Sequence, residues 1–237
     1  LTSLPNYERI LAKHHVFGAS LLLQDGANCA LCDTSTAKPE HLAQENTLYR
    51  VASITKIATA LVTLRCVDNE LFSLDSEAAS LLPDGEKTPA LSGVTVRHLL
   101  CHTSGLRDLP MLDSCLKEGK PYTELLRQPE IRACAPGQQL IYSNFGFGLL
   151  GCILEQQTGL CIEPLFQEML FRPLHMRATL DASTLNEAEI MPITRVLPYR
   201  AGRELRVTAL GRHPLQKPNP LCHYEQCIPT VGLFCRC

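Results

Sequence analysis

From Ser53 to Asn69 the chain runs without a glycine or proline and is rich in Ala, Leu, Ile and Thr. Apolar residues recur at helical spacing through it, at Ile57, Ala60, Leu61 and Leu64. The segment predicts a long helix, and it follows directly on a short extended stretch, Glu45–Val51. No other junction constrains the chain as much, because Ser53-Ile54-Thr55-Lys56 opens the helix. A spacing of three puts the hydroxyl and the ammonium on one helix face, about 5–6 Å apart at their Cβ atoms. Serine is a poor nucleophile until a nearby base or an electropositive field favours its alkoxide. Lys56 can supply either, and the helix N-terminus adds positive potential and backbone N–H groups. Taken alone the pattern is common, and a capped helix with a solvated lysine explains it equally well. Its place at the first turn of an apolar helix, straight after an extended segment, favours the chemical reading.

Short strands and helices surround this helix. Leu4–His15 suits a short helix packed on a sheet. Val16–Gln24, Asp25-Gly26 and Cys29–Asp33 read as strand, turn and returning strand. Thr95 is placed to cap a helix over Val96–Cys101. Pro136-Gly137 marks a turn before Tyr142, and Asn144–Thr158 predicts a helix stopped by Gly159. Cys161–Leu170 predicts another, ending before Pro173. Val196–Tyr199 and Leu205–Thr208 read as short strands. The longest apolar run, Phe145–Leu154, is broken by Gly146, Gly148 and Gly151, and falls short of the ~18 residues of a membrane span.

Two further motifs bear on chemistry. Tyr142-Ser143-Asn144 precedes the Gly-rich helix. A phenol held near an ammonium has its pKa lowered and can accept a proton. An asparagine offers both a donor and an acceptor to a substrate amide. Alone, the plainer reading is a buried tyrosine at a helix start with Asn144 as its cap. The other motif is Leu99-Leu100-Cys101-His102-Thr103-Ser104-Gly105-Leu106, a helix end running into a tight turn. His102 and Ser104 lie on one turn, with no Gly-x-Ser-x-Gly elbow around Ser104. They read as structural loop residues.

Together these segments resemble the serine β-lactamase and penicillin-binding protein superfamily, in its class C-like branch. Motif order and spacing agree from the Val16–Asp33 hairpin through Tyr49–Lys56, Leu99–Leu106, Pro136-Gly137 and Tyr142–Gly151 to Arg172-Pro173-Leu174-His175-Met176. The resemblance implies an α/β (α+β) fold of the β-lactamase/transpeptidase type: an antiparallel sheet with packing helices, plus a mostly helical lobe. It implies one domain over 1–237, with the hairpin and N-terminal helix in 1–52, the helical lobe in 53–220 and a Cys-rich tail in 221–237. It also implies that Ser53 attacks a carbonyl to form an acyl-enzyme while Lys56 and Tyr142 move the proton to the leaving group. Water activated near Tyr142 then releases the acid, and Asn144 contacts the substrate. The substrate class is a small amide, ester or β-lactam, as in D-Ala carboxypeptidases, D-aminopeptidases, esterases and β-lactamases, with no cofactor and no metal.

The pattern departs from the superfamily in one place. A third motif, Lys-Thr-Gly or His-x-Gly, is expected on a strand beside the site. Lys87-Thr88 runs into Pro89, His213-Pro214 lacks the glycine, and Thr230–Phe234 leads only to Cys235-Arg236-Cys237. The sequence therefore reads as lacking the final strands and closing helix, and weak or no turnover is expected of it, since one lost oxyanion donor costs ~10²–10³ in rate. A non-catalytic binding module or inactive remnant is the alternative.

Twelve cysteines raise the question of zinc. Cys29 and Cys32 are three apart on a predicted strand and point to opposite faces. The tail cluster of Cys222, His223, Cys227, Cys235 and Cys237 has irregular spacing, so a zinc protein is the less favoured reading. Many other cysteines sit in apolar helical patterns as small hydrophobes, which favours a reducing, cytoplasmic setting. The resemblance also admits a bacterial periplasmic or extracellular one. A net charge of −2 gives no electrostatic reason to expect nucleic acid as partner.

Overall fold

The structure is a computed structural model that describes residues 7–14, 18–26, 28–35, 47–83, 88–112, 122–181, 185, 190, 194–196, 207–209 and 234–235. The chain divides into two compact units. One comprises 1–50, 182–217 and 235–237; the other comprises 51–181 and 218–234.

The first unit begins with α1 (Tyr7–Lys13). It continues into β1 (Gly18–Asp25) and β2 (Asn28–Ser35), which pair antiparallel from Asp25↔Asn28 to Gly18↔Ser35. Gly26 turns the chain with φ +57°, a left-handed value that suits a residue without Cβ. The hairpin falls where the sequence predicts it, with β1 starting two residues later than expected and β2 starting one residue earlier and ending two later. Tyr49–Arg50 is extended as expected, and Ser20 Oγ donates to Tyr49 Oη at 3.0 Å. Thr194–Val196 and Val207–Ala209 form a second antiparallel pair, close to the predicted 196–199 and 205–208.

The second unit is mostly helical and holds every residue of the site described below. A 3₁₀ turn at Ala52–Ile54 leads into α2 (Thr55–Asp68). The helix is where the sequence places it, but its buried face is not the aliphatic stripe. Thr55, Lys56, Ala58, Thr59, Val62, Thr63 and Cys66 are buried, while Ile57, Leu61 and Leu64 are exposed. Threonines can occupy the buried face because their hydroxyls bond back along the helix. Thr59 Oγ1 donates to Thr55 O at 3.2 Å, and Thr63 Oγ1 to Thr59 O at 2.8 Å. Burial pushes the Cys66 thiol up to about 11, as for an inert packed cysteine.

α3 (Ala78–Leu81) and α4 (Val96–Leu100) follow. Thr95 caps α4 as expected, in a reciprocal capping box with His98 in place of the usual acidic partner. α5 (Asn144–Thr158) has the predicted bounds, and Gly159 ends it at φ +70°. Every residue from Phe145 to Glu155 is buried, so this apolar helix is the spine of the unit. It packs on α2, α3 and α4. Phe145, Leu149, Leu150, Ile153, Leu99, Leu125 and Phe166 form the core, each contributing about 1.5–3 kcal/mol of transfer energy. Beyond it, α6 (Ile162–Phe166) runs into a π-turn over Gln167–Phe171. The Glu155 carboxylate caps α6 by accepting from Ile162 N at 2.7 Å. Among the described residues no single helix is long and apolar enough to cross a membrane.

Candidate active site

Ser53 sits on the 3₁₀ turn that precedes α2 and is exposed. The residue before it, Ala52, holds φ +47°, a left-handed conformation that costs a non-glycine residue about 1–3 kcal/mol. Thr55 Oγ1 pins this turn by donating to Ala52 O at 2.6 Å. One turn on, Lys56 is only 7% exposed. Its Nζ donates to Ser53 Oγ at 3.3 Å and to Asn144 Oδ1 at 2.8 Å.

Tyr142 reaches the same hydroxyl from a segment 89 residues away: its Oη donates to Ser53 Oγ at 2.7 Å. Its ring lies beside the ammonium, with Lys56 Nζ 4.9 Å from the centroid. Desolvation pushes the Tyr142 phenol up, but hydrogen bonds with Lys56 and Ser53 and the Lys56 charge pull it down more. The phenol titrates below its usual range. The plainer reading of this segment fails on two counts. Tyr142 is half exposed, and the cap of α5 is Ser143, whose Oγ accepts from Gly146 N at 2.9 Å.

All four residues singled out in the sequence thus meet within one unit. Three others join them that the sequence left aside. Asp108 accepts three hydrogen bonds from the start of α5: from Ser143 Oγ at 3.2 Å, Asn144 Nδ2 at 2.7 Å and Phe145 N at 2.8 Å. His102 stacks against Tyr142 and Phe147, with ring centroids 4.5 and 4.9 Å away. Its Nδ1 accepts from Ser143 N at 3.2 Å. Burial and the nearby Lys56 charge lower the imidazole pKa against the opposing pull of Asp108, which keeps the ring neutral and able to accept. Phe147 presents its ring to Lys56 Nζ at 5.7 Å. Ser104 is buried and accepts from Leu106 N, the structural loop role expected of it. His102 had a signal, since it lies in the singled-out Leu99–Leu106 segment. Asp108 lies just beyond that segment and carries no local pattern.

Among the described residues no group of three or more His, Cys, Asp or Glu side chains gathers as a metal site would require. Cys222, His223, Cys227 and Cys237 lie outside the described residues, as do the side chains of Cys29, Cys32 and Cys235. Lys87, His213-Pro214 and Thr230–Leu233, weighed for the third motif, lie outside them too.

Residues 6–214 match the family model described as Beta-lactamase. Monacolin J acid methylbutanoyltransferase of Aspergillus terreus is 32% identical over 157 residues, covering 55% of this chain and 37% of that protein. D-alanyl-D-alanine-carboxypeptidase/endopeptidase AmpH of Escherichia coli is 28% identical over 174 residues, covering 68% of this chain and 44% of that one. The chain thus spans less than half the length of these two relatives. Among solved structures, a class C beta-lactamase superposes with a TM-score of 0.69 at 20% identity, over 96% of this chain and 58% of that one. A penicillin-binding protein homologue from Pyrococcus abyssi gives 0.70 at 20% identity, over 96% and 51%. At such identities the structures speak for the fold alone, which is of the β-lactamase/transpeptidase type.

Proposed function

This chain belongs to the beta-lactamase family, and on that premise we propose that it carries out serine acyl transfer on a small amide or ester. Ser53 Oγ attacks the carbonyl carbon, and the bond from that carbon to the leaving nitrogen or oxygen breaks. The acyl group stays on Ser53 as an ester. The Ser53 proton passes to Tyr142, which accepts it as a phenolate favoured by Lys56, and then goes to the leaving group. Water enters by the same route: its proton goes to Tyr142, its oxygen adds to the ester, and the acid leaves with Ser53 restored. Asn144 meets the amide or side chain of the substrate beside Lys56.

One observation carries this reading. A phenol at 2.7 Å and an ammonium at 3.3 Å both contact a single exposed hydroxyl, so that the ammonium favours the phenolate and the phenolate can take the hydroxyl proton. A peptidase or esterase is favoured over a dedicated β-lactamase, since the fold does not choose the substrate. The similarity to a methylbutanoyltransferase supports a second reading, in which an alcohol rather than water takes the acyl group.

A fluorophosphonate probe tests the shared first step. We expect it to label the folded chain at Ser53 and to leave Ser53→Ala unlabelled. Equal labelling of both proteins would remove Ser53 from the chemistry. Reversible binding of amide or ester ligands with no adduct by intact mass would favour the non-catalytic module.

A further inference from the structure

We propose that Asp108 is a positioning residue for acylation, fixing the side-chain amide of Asn144 so that its oxygen, and not its NH₂, faces Lys56. The inference rests on the catalytic reading of Ser53 and Lys56, and it adds to that reading the residue that sets the ammonium in place.

The orientation follows from donor and acceptor chemistry. An ionised aspartate only accepts. The end of the Asn144 amide that meets Asp108 Oδ2 at 2.7 Å must therefore be the donor Nδ2. Its other end, Oδ1, is then the acceptor that Lys56 Nζ reaches at 2.8 Å. A chain of polarity runs Asp108, Asn144, Lys56, Ser53. Were the amide reversed, an NH₂ would confront an ammonium, and neither could accept. Lys56 is nearly buried, and a buried ammonium needs acceptors to offset its lost hydration. Asp108 supplies a negative charge one amide away.

The backbone around Asp108 suits a fixed point. Residues 105–107 pair with 131–133 through Arg107 N to Ile131 O at 3.0 Å and Ala133 N to Gly105 O at 2.8 Å. The Arg107 side chain ties down to Glu130 O at 2.6 Å. A carboxylate held this way can dictate an amide orientation to a helix end 36 residues later.

A competing account makes Asp108 only an extra cap for α5, through Phe145 N and Ser143 Oγ. A cap stabilises the fold and leaves the folded site intact. Two readouts separate the accounts. In the first, intact mass follows acylation by p-nitrophenyl acetate in wild type, Asp108→Asn, Asn144→Ala and the double variant. We expect Asp108→Asn to slow acylation at saturating probe by at least about tenfold with half-saturation little changed, and Asp108→Glu to restore part of the rate. In the Asn144→Ala background the same change should cost nothing further, because its effect runs through that amide. Equal costs in both backgrounds, or a lowered melting temperature with the wild-type rate, would overturn the proposal.

The second readout needs no acylation. Sulfo-NHS-acetate modification of lysines is mapped by peptide mass, with exposed Lys13 as internal standard. Lys56 should react slowly in wild type and several-fold faster in Asp108→Asn; an unchanged Lys56 rate would count against the proposal. Failure of the probe to label wild-type Ser53 would sink the catalytic reading alone, and the lysine mapping would still decide the role of Asp108.

Discussion

At the scale of single residues, the proposed mechanism is a competition over one proton. Ser53 keeps its proton in water, so a group nearby must accept it at ordinary pH. Tyr142 is suited to this because Lys56 lowers its pKa more than desolvation raises it. The sign of the pH dependence follows. On the proposed mechanism the phenolate is the active form, so the acylation rate of Ser53 should climb with pH and level off below the ~10 of a free phenol. Tyr142→Phe should lose about 10²–10⁴ in that rate and the alkaline limb with it. Its melting temperature should barely move, since the ring is half exposed. Stopped-flow or quenched intact-mass kinetics across pH checks both. Lys56→Ala should shift the surviving limb upward, toward the free phenol.

At the scale of elements, legibility in the sequence tracks how local each cause is. The bounds of α5 were readable because its Gly-rich apolar run and the left-handed Gly159 stop are encoded within it. The cap at Thr95 was readable for the same reason. The buried face of α2 was not. Its aliphatic stripe at Ile57, Leu61 and Leu64 is exposed, and the threonines that replace it hide their hydroxyls in their own helix. Asp108 was not readable either, since an aspartate in a loop has no signature and its partners are 35–37 residues away. Ser53 and Lys56 were readable from spacing, but Tyr142 and Asn144 gained weight only from the family resemblance. The loop that carries Asp108 makes a prediction at this scale. Gly105 has φ +74°, and a Cβ there would collide with the carbonyl oxygen of Cys134. Gly105→Ala should therefore lose about 2–5 kcal/mol of stability, from a strained backbone and a displaced neighbour together. Urea unfolding measures it, and a loss under about 0.5 kcal/mol would show that this loop is not held as described.

At the scale of the whole molecule, the family assignment rests on the match over residues 6–214, and the fold on superpositions that cover 96% of the chain. The substrate rests on neither, because relatives of this fold include an acyltransferase and a carboxypeptidase/endopeptidase. The proposed mechanism passes through an acyl group carried on Ser53 between two partners. The most direct measurement therefore looks for that carrier. The chain is mixed with p-nitrophenyl acetate, quenched in acid within the first turnover, digested and mapped by tandem mass spectrometry. The account predicts acetyl on Ser53, lost or strongly reduced in Lys56→Ala and Tyr142→Phe. Acetyl spread over surface lysines in proportion to their exposure, with Ser53 unmodified, would contradict it.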